Sequence, residues 1–230
     1  MHELADEGHP DAGNIAERKD ALRRRMKDVR RDLGNEQRER IDAGIARSLF
    51  ATDFWQQAST VLTYLSFGSE VDTHRIIEEA WRAGKTVALP RCVRGTRTMD
   101  WYRVTSLDGL VRSAFGVEEP PDDPATLIDP AATAPASTSA IALVPGLAFD
   151  AQGFRIGYGG GFYDAFITHF PGTAIGLCRE AQLIPGLREA GVLEEHDAPV
   201  RLVITERGIR QGVRRSQGGQ ENLLLKQYKA

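Results

Sequence analysis

Between Ser59 and Pro90 the chain reads STVLTYLS, then THRIIEEAWRAG, then KTVALP. Two short apolar, β-branched runs flank a segment of helical character. A helix between two such runs carries the chain back across a sheet, which makes the strands parallel and predicts α/β architecture. TMDWYRV (98–104) reads as a further strand. The Pro- and Ala-rich stretch 119–137 reads as a long surface connection. AIALVPGLAFD then supplies one apolar strand ending near Pro145, FYDAFITHF a helix, and TAIGLCR and RLVITE two last strands. In front of this core, Leu22, Met26, Val29 and Leu33 recur at helical spacing from Glu17. A second helix from about Glu36 carries Ile41, Ile45 and Leu49, with Asn35 as its expected cap. One domain over 17–206 is expected, with polar, loosely ordered tails at 1–16 and 207–230. No internal repeat is visible.

Length and composition narrow the function classes. With 230 residues, 41% of them hydrophobic, the chain can bury a sizeable core. A formal net charge of -3 argues against a broad nucleic-acid surface and favours small-molecule partners. The two cysteines, Cys92 and Cys178, suggest neither a disulfide framework nor a zinc site. No run is long enough to span a bilayer and the first sixteen residues are not signal-like, so a cytoplasmic protein is expected.

RIGYGGGFYD (155–164) is the segment with the clearest chemistry. Gly157, Gly159, Gly160 and Gly161 let the backbone come close to a ligand with its amides exposed. The helix that follows adds partial positive charge, and Arg155 a full one, which suits an anion such as a nucleotide phosphate. A plain turn is the alternative, although four glycines in five positions exceed what one turn needs. Neither the dinucleotide fingerprint nor the phosphate-loop lysine is present: Phe162 stands where the former needs a last glycine. GKT at 84–86 only imitates a phosphate loop, because a helix precedes it, and Gly84 reads as that helix's stop.

Lys19 and Arg23 lie four apart on the first helix and project from one side. They either grip phosphate oxygens together or belong to a solvated basic face. Asp164 and Asp197 each bring a hard oxygen ligand suited to magnesium held with phosphate. Their alternatives are a helix N-terminal acid and a turn residue. Glu70, in the loop after the first strand, either hydrogen-bonds a donor-rich heterocycle or is a solvated loop acid. His196 reads as structural, since no nucleophile accompanies it.

The stretch VPGLAFDAQGFRIGYGGGFYDAFI closely resembles the signature of the 5-formyltetrahydrofolate cyclo-ligase (5,10-methenyltetrahydrofolate synthetase) family. KDALR, LSFGSEVDT, LPRC with MDWY, and HDAPVRLVITE follow in the same order, so the resemblance runs from about Lys19 to Glu206. It implies a three-layer α/β/α sandwich with a mostly parallel sheet, similar to the sugar-phosphate isomerase and CoA-transferase group. The implied activity is cyclisation of 5-formyltetrahydrofolate to 5,10-methenyltetrahydrofolate. ATP and Mg²⁺ drive it through a phosphorylated formyl oxygen, releasing ADP and phosphate. By position, the resemblance gives Lys19 and Arg23 to the ATP phosphates and Arg155, Ile156, Gly157, Tyr158, Gly159, Gly160, Gly161, Phe162 and Tyr163 to the nucleotide loop. It gives Asp164 and Asp197 to Mg²⁺, and Leu65, Glu70 and Tyr158 to the folate. Tyr158 and Arg155 would stand at the reacting formyl group. The implied partner is folate, with or without a polyglutamate tail, on a monomer or weak dimer, with no nucleic acid and no membrane. Phe162 replaces a tyrosine usual in the family, some members carry a cation at the position of Tyr158 or Gly160, and Arg201 sits where an acid is common. A paralogue acting on another formyl or carboxyl compound, and a non-catalytic folate- or nucleotide-binding module, remain alternatives.

Overall fold

The computed structural model describes residues 14–113, 116–132 and 140–212. Two helices, α1 (Ile15–Asp32) and α2 (Asn35–Phe50), are followed by the short α3 (Asp53–Gln57). The expected crossover unit comes next as β1 (Thr60–Leu62), α4 (His74–Arg82) and β2 (Thr86–Cys92), with β1 and β2 parallel and Val61 opposite Val87. Then come β3 (Met99–Val104), β4 (Val111–Arg112), β5 (Glu118–Glu119), β6 (Leu127–Ile128) and β7 (Ala140–Val144). The remainder is β8 (Ala148–Asp150), β9 (Arg155–Ile156), α5 (Phe162–His169), β10 (Thr173–Leu177), β11 (Leu183–Ile184), β12 (Leu202–Thr205) and β13 (Gly208–Gln211).

Eight strands form the central sheet in the order β13-β12-β10-β7-β1-β2-β3-β6. The five from β12 to β2 are mutually parallel, and β13, β3 and β6 join antiparallel at the edges. β7 and β10 are buried at every residue, the pattern of parallel strands covered on both faces. Alternate side chains sort between the two faces. Val61, Val87, Ile141, Ile175 and Ile204 meet Ile45 and Leu49 of α2, Trp55 of α3 and Ile76 of α4. Leu62, Ala88, Ala142 and Trp101 meet Phe166 and Phe170, while Val144, Ala174 and Val203 meet Ile167 and Phe149. The result is three layers: helices, the large sheet, then α5 with a small sheet of order β11-β8-β9. α1 lies over that small sheet, with Met26 packed among Leu147, Ala148 and Ile156.

Three expectations are corrected. Gly34, not Asn35, is the cap of α2, and Asn35 is the first helical residue, because two extended residues, Leu33 and Gly34, join the two helices. The side-chain cap belongs to Asn14 at α1, accepting from the Ala16 amide at 2.9 Å. The strand of AIALVPGLAFD ends at Val144 as expected, and past Pro145-Gly146 the same stretch adds β8 of the small sheet. A Cβ at Gly146 would stand 2.6 Å from the Phe149 ring, so the turn closes onto its own strand. The stretch 119–137 is not all surface connection, since β6 pairs with β3 and sets Ile128 opposite Trp101; residues 133–139 lie outside the described residues. Residues 207–212, expected as tail, belong to the sheet edge, where β13 pairs with β12 through Gln211; 1–13 and 213–230 lie outside the described residues. Gly84 stops α4 with φ of +70°, as expected.

Candidate functional site

A cleft of about 680 Å³ opens where β1, β2 and β7 end at their carboxyl sides, the usual place for ligands in a parallel sheet. Every site residue expected from the sequence lines it: Lys19, Arg23, Leu65, Glu70, the run from Arg155 to Asp164, and Asp197. The β8–β9 hairpin delivers the glycine run to this edge. Its turn is held by buried Asp150, which accepts from the amides of Gln152 at 3.0 Å, Phe154 at 2.9 Å and Leu187 at 3.1 Å. Gly159 (φ +105°) and Gly161 (φ +72°) occupy backbone conformations that side chains rarely adopt. Gly161 is also the cap of α5 and offers no side-chain acceptor to the amides of the first turn. A Cβ at Gly159 would lie 3.5 Å from the Arg23 guanidinium, and one at Gly161 would lie 3.5 Å from Arg97. The loop is thus a backbone cradle with an arginine on each flank, and its donors fit phosphate oxygens.

The charged groups are already interlinked. Lys19, 8% exposed, donates to Glu194 at 2.6 Å and to Asp197 at 2.9 Å. Burial pulls its ammonium down, but the bonds to Glu194 and Asp197 outweigh this and leave it above the ordinary lysine value. Arg23 donates through Nε to the Gly157 carbonyl at 3.0 Å and pairs with Asp20. Arg155 is buried beneath the cleft floor, 3.0 Å from Asp164 and donating to the Ala198 carbonyl at 2.9 Å, so its guanidinium anchors the loop. Asp164 also accepts from the Ala198 amide at 3.0 Å. Asp197 lies instead with Glu194 and His196, their ligand atoms within 4.8 Å of one another. Carboxylate oxygens facing a phosphate cradle fit a hard divalent cation, and Asp197 with Glu194 would hold it more directly than Asp164.

The other half of the cleft is more apolar. Leu65, Phe67, Leu89, Met99 and Tyr158 line it, and the rings of Phe67 and Tyr158 stand 6.1 Å apart, each about half exposed. Glu70 is buried among them and accepts from the Phe67 amide at 3.2 Å. Burial raises its carboxyl above the usual range, against the Phe67 amide and the charge of Arg30. The Tyr158 hydroxyl accepts from Arg30 at 3.1 Å and bonds to Glu70 as well.

Sequence reasoning missed Arg30, Arg97 and Glu194. Arg30 is 2% exposed and reaches from α1 to Tyr158 and to the Gly146 carbonyl. Its one sequence signal is helical register, four past Met26, on the buried side of α1. Arg97 is exposed in the turn between β2 and β3, with no hydrogen-bond partner among the described residues. Glu194 lies three before Asp197, in a run of acids with no distinctive pattern.

Comparison with known proteins identifies the family. A model of the 5-formyltetrahydrofolate cyclo-ligase family matches residues 15–206. A 5-formyltetrahydrofolate cyclo-ligase of Escherichia coli is 32% identical over 182 residues, covering 76% of this chain and 93% of that protein. One of Mycolicibacterium smegmatis is 32% identical over 161 residues, covering 65% and 75%. The NMR structure of 5,10-methenyltetrahydrofolate synthetase from Aquifex aeolicus superposes with a TM-score of 0.70 at 26% identity, covering 89% of this chain and 97% of that one. A synthetase structure from Mycoplasma pneumoniae, at 18% identity and a TM-score of 0.62, shares the fold. With a glycine cradle and a buried acid at the carboxyl edge of its parallel sheet, and a family match across nearly all of the described residues, the chain belongs to the 5-formyltetrahydrofolate cyclo-ligase family.

Proposed function

We propose that this protein converts 5-formyltetrahydrofolate to 5,10-methenyltetrahydrofolate at the expense of ATP and Mg²⁺. The observation that carries this reading is one cleft uniting an anion cradle with a half-apolar pocket that contains a buried carboxylate. MgATP supplies a phosphoryl group to the formyl oxygen, turning a poor leaving group into a good one. N10 of the folate then bonds to the formyl carbon, its proton is lost, and phosphate departs with the former formyl oxygen.

The protein's share of this chemistry is positioning and charge. The amides around Gly159 to Gly161, with Arg23 and Arg97, bind phosphate oxygens. Lys19 adds charge while holding Glu194 and Asp197 in place for the cation. Glu70 accepts from the donor-rich edge of the pterin, and Tyr158, held by Arg30, covers the reacting end. Leu65, Phe67 and Met99 pack on the ring and exclude water.

The test is to mix the purified protein with 5-formyltetrahydrofolate and MgATP, following the methenyl chromophore and ADP together. Both are expected at equal rates, and neither when MgATP is omitted. Folate binding without turnover, or ADP release only with a different acceptor, would overturn the proposal.

A further inference from the structure

Arg179, just past β10, is 1% exposed, and Asp42 on α2 is 7% exposed. The two form a bidentate pair, Nε to Oδ1 at 2.7 Å and Nη2 to Oδ2 at 2.7 Å. The pair does not end there. Arg179 also donates to the carbonyls of Ser69 and Glu70, each at 2.8 Å, and Asp42 accepts from the Asp72 amide at 3.1 Å. Three of the four backbone positions from 69 to 72 are therefore tied to one buried ion pair.

A buried ion pair is weak evidence for stability, since two apolar side chains of similar volume often serve as well. What an apolar pair cannot supply is directed donors to two successive carbonyls. Those donors matter here because the loop is a partition. Phe67 and Glu70 line the cleft on one side and also a groove of about 550 Å³ on the other, beside Asp42, Asp72 and Arg179. Val71, 2% exposed, packs into the core and anchors the loop there, whereas Phe67 and Glu70 have open space on both faces and packing alone does not fix them. On the cleft side, among the described residues, the Glu70 carboxylate hydrogen-bonds to the Phe67 amide and the Tyr158 hydroxyl, with the charges of Arg30 and Arg179 nearby. Behind it, Arg179 and Asp42 hold the main chain.

We infer that Asp42 and Arg179 are positioning residues for Glu70, setting from behind the carboxylate that receives the pterin. This rests on the assignment of Glu70 to folate proposed above. Arg179 lies 109 residues from Glu70 in sequence, and its role is specific to one half of the site: the nucleotide cradle shares none of its bonds.

The test replaces both partners, Asp42→Leu with Arg179→Met, so that no lone buried charge remains. Calorimetry measures dissociation constants for 5-formyltetrahydrofolate and, separately, for a non-hydrolysable ATP analogue with Mg²⁺. The folate constant is expected to rise about tenfold or more while the nucleotide constant stays within about twofold. In a Glu70→Ala background the same pair of replacements is expected to change folate affinity by less than about twofold, because its effect passes through Glu70. Should the paired variant fail to fold, Arg179→Lys takes its place, since an ammonium cannot span Asp42 and two carbonyls, and the same selective loss is expected at smaller size. Unaltered folate affinity in a folded variant, equal losses for both ligands, or a full effect persisting without Glu70 would each overturn the positioning role. Absence of folate binding and turnover in the unsubstituted protein would instead overturn the functional assignment on which it rests.

Discussion

Lys19 donates to Asp197 over 2.9 Å, although 178 residues separate them in sequence. The contact pins α1 against the segment leading into β12 and places a nearly buried ammonium between two carboxylates at the rim of the glycine cradle. Lys19→Ala is expected to weaken binding of an ATP analogue about tenfold to a hundredfold by loss of one charge-assisted contact. It also leaves Asp197, buried to a similar degree, without its cation, so a stability loss of about 1–3 kcal/mol is expected alongside. Calorimetric titration and thermal melting measure the two separately. Undiminished nucleotide affinity would remove Lys19 from the phosphate site.

Neighbouring glycines of the loop should differ sharply. A Cβ at Gly157 meets nothing within 4 Å, whereas one at Gly160 would stand 2.8 Å from the Phe162 ring. Gly157→Ala is expected to fold as well as the parent. Gly160→Val should lose most turnover by pushing Phe162 at the start of α5. Gly159→Ala forces a side chain to φ +105° and should cost about 1–2 kcal/mol of stability as well as activity. Equal behaviour of the three variants in melting and turnover would reduce the loop to an ordinary turn.

The cradle was legible because glycine spacing reports backbone geometry directly, and the crossover unit because periodicity reports burial. Lys19 and Arg23 were legible as a pair four apart, but not which way they faced. That depends on Glu194 and Gly157, which only the folded chain brings near. Arg30 looks like its neighbours in RKDALRRRMKDVRR, and what buries it is the Gly146 carbonyl, 116 residues away. β6 is two residues long and leaves no periodic trace, so its pairing with Trp101 could not be foreseen. Nothing local in the sequence pairs Asp42 with Arg179, 137 residues apart, and only the folded chain brings α2 against the end of β10. Local geometry is written in local sequence; partners of buried charges are not.

Arg97 offers a cleaner test of the phosphate site than Lys19, because it is exposed and has no hydrogen-bond partner among the described residues. Its side chain flanks Gly161, where a Cβ would lie 3.5 Å from Cδ and 3.8 Å from Nη1. Arg97→Ala should leave melting unchanged within about 0.5 kcal/mol, as surface substitutions do. The KM for MgATP is expected to rise about tenfold with kcat little changed, the pattern of a lost uniform binding contact. An unchanged KM would remove Arg97 from the phosphate site.

Glu70 ties pH dependence to both stability and folate binding. Burial holds its carboxyl above the ordinary value of 4.5, so the folded protein binds this proton more tightly than the unfolded chain does. Stability associated with the group is therefore greatest below 4.5 and declines as pH rises through the raised folded value. At neutral pH the charged form carries a desolvation cost, and Glu70→Gln, which removes it, should melt no lower than the parent. Folate affinity should run the other way. The parent is expected to lose affinity as acid protonates Glu70, in a limb lying above the ordinary glutamate range. In Glu70→Gln that limb should vanish, and above it binding should be weaker than the parent's by about 1–3 kcal/mol, since one acceptor is replaced by a donor. The ligand's own ionisations are common to both proteins, so the difference between the two profiles isolates Glu70. If the acid limb survives in Glu70→Gln, the carboxylate does not hold the pterin.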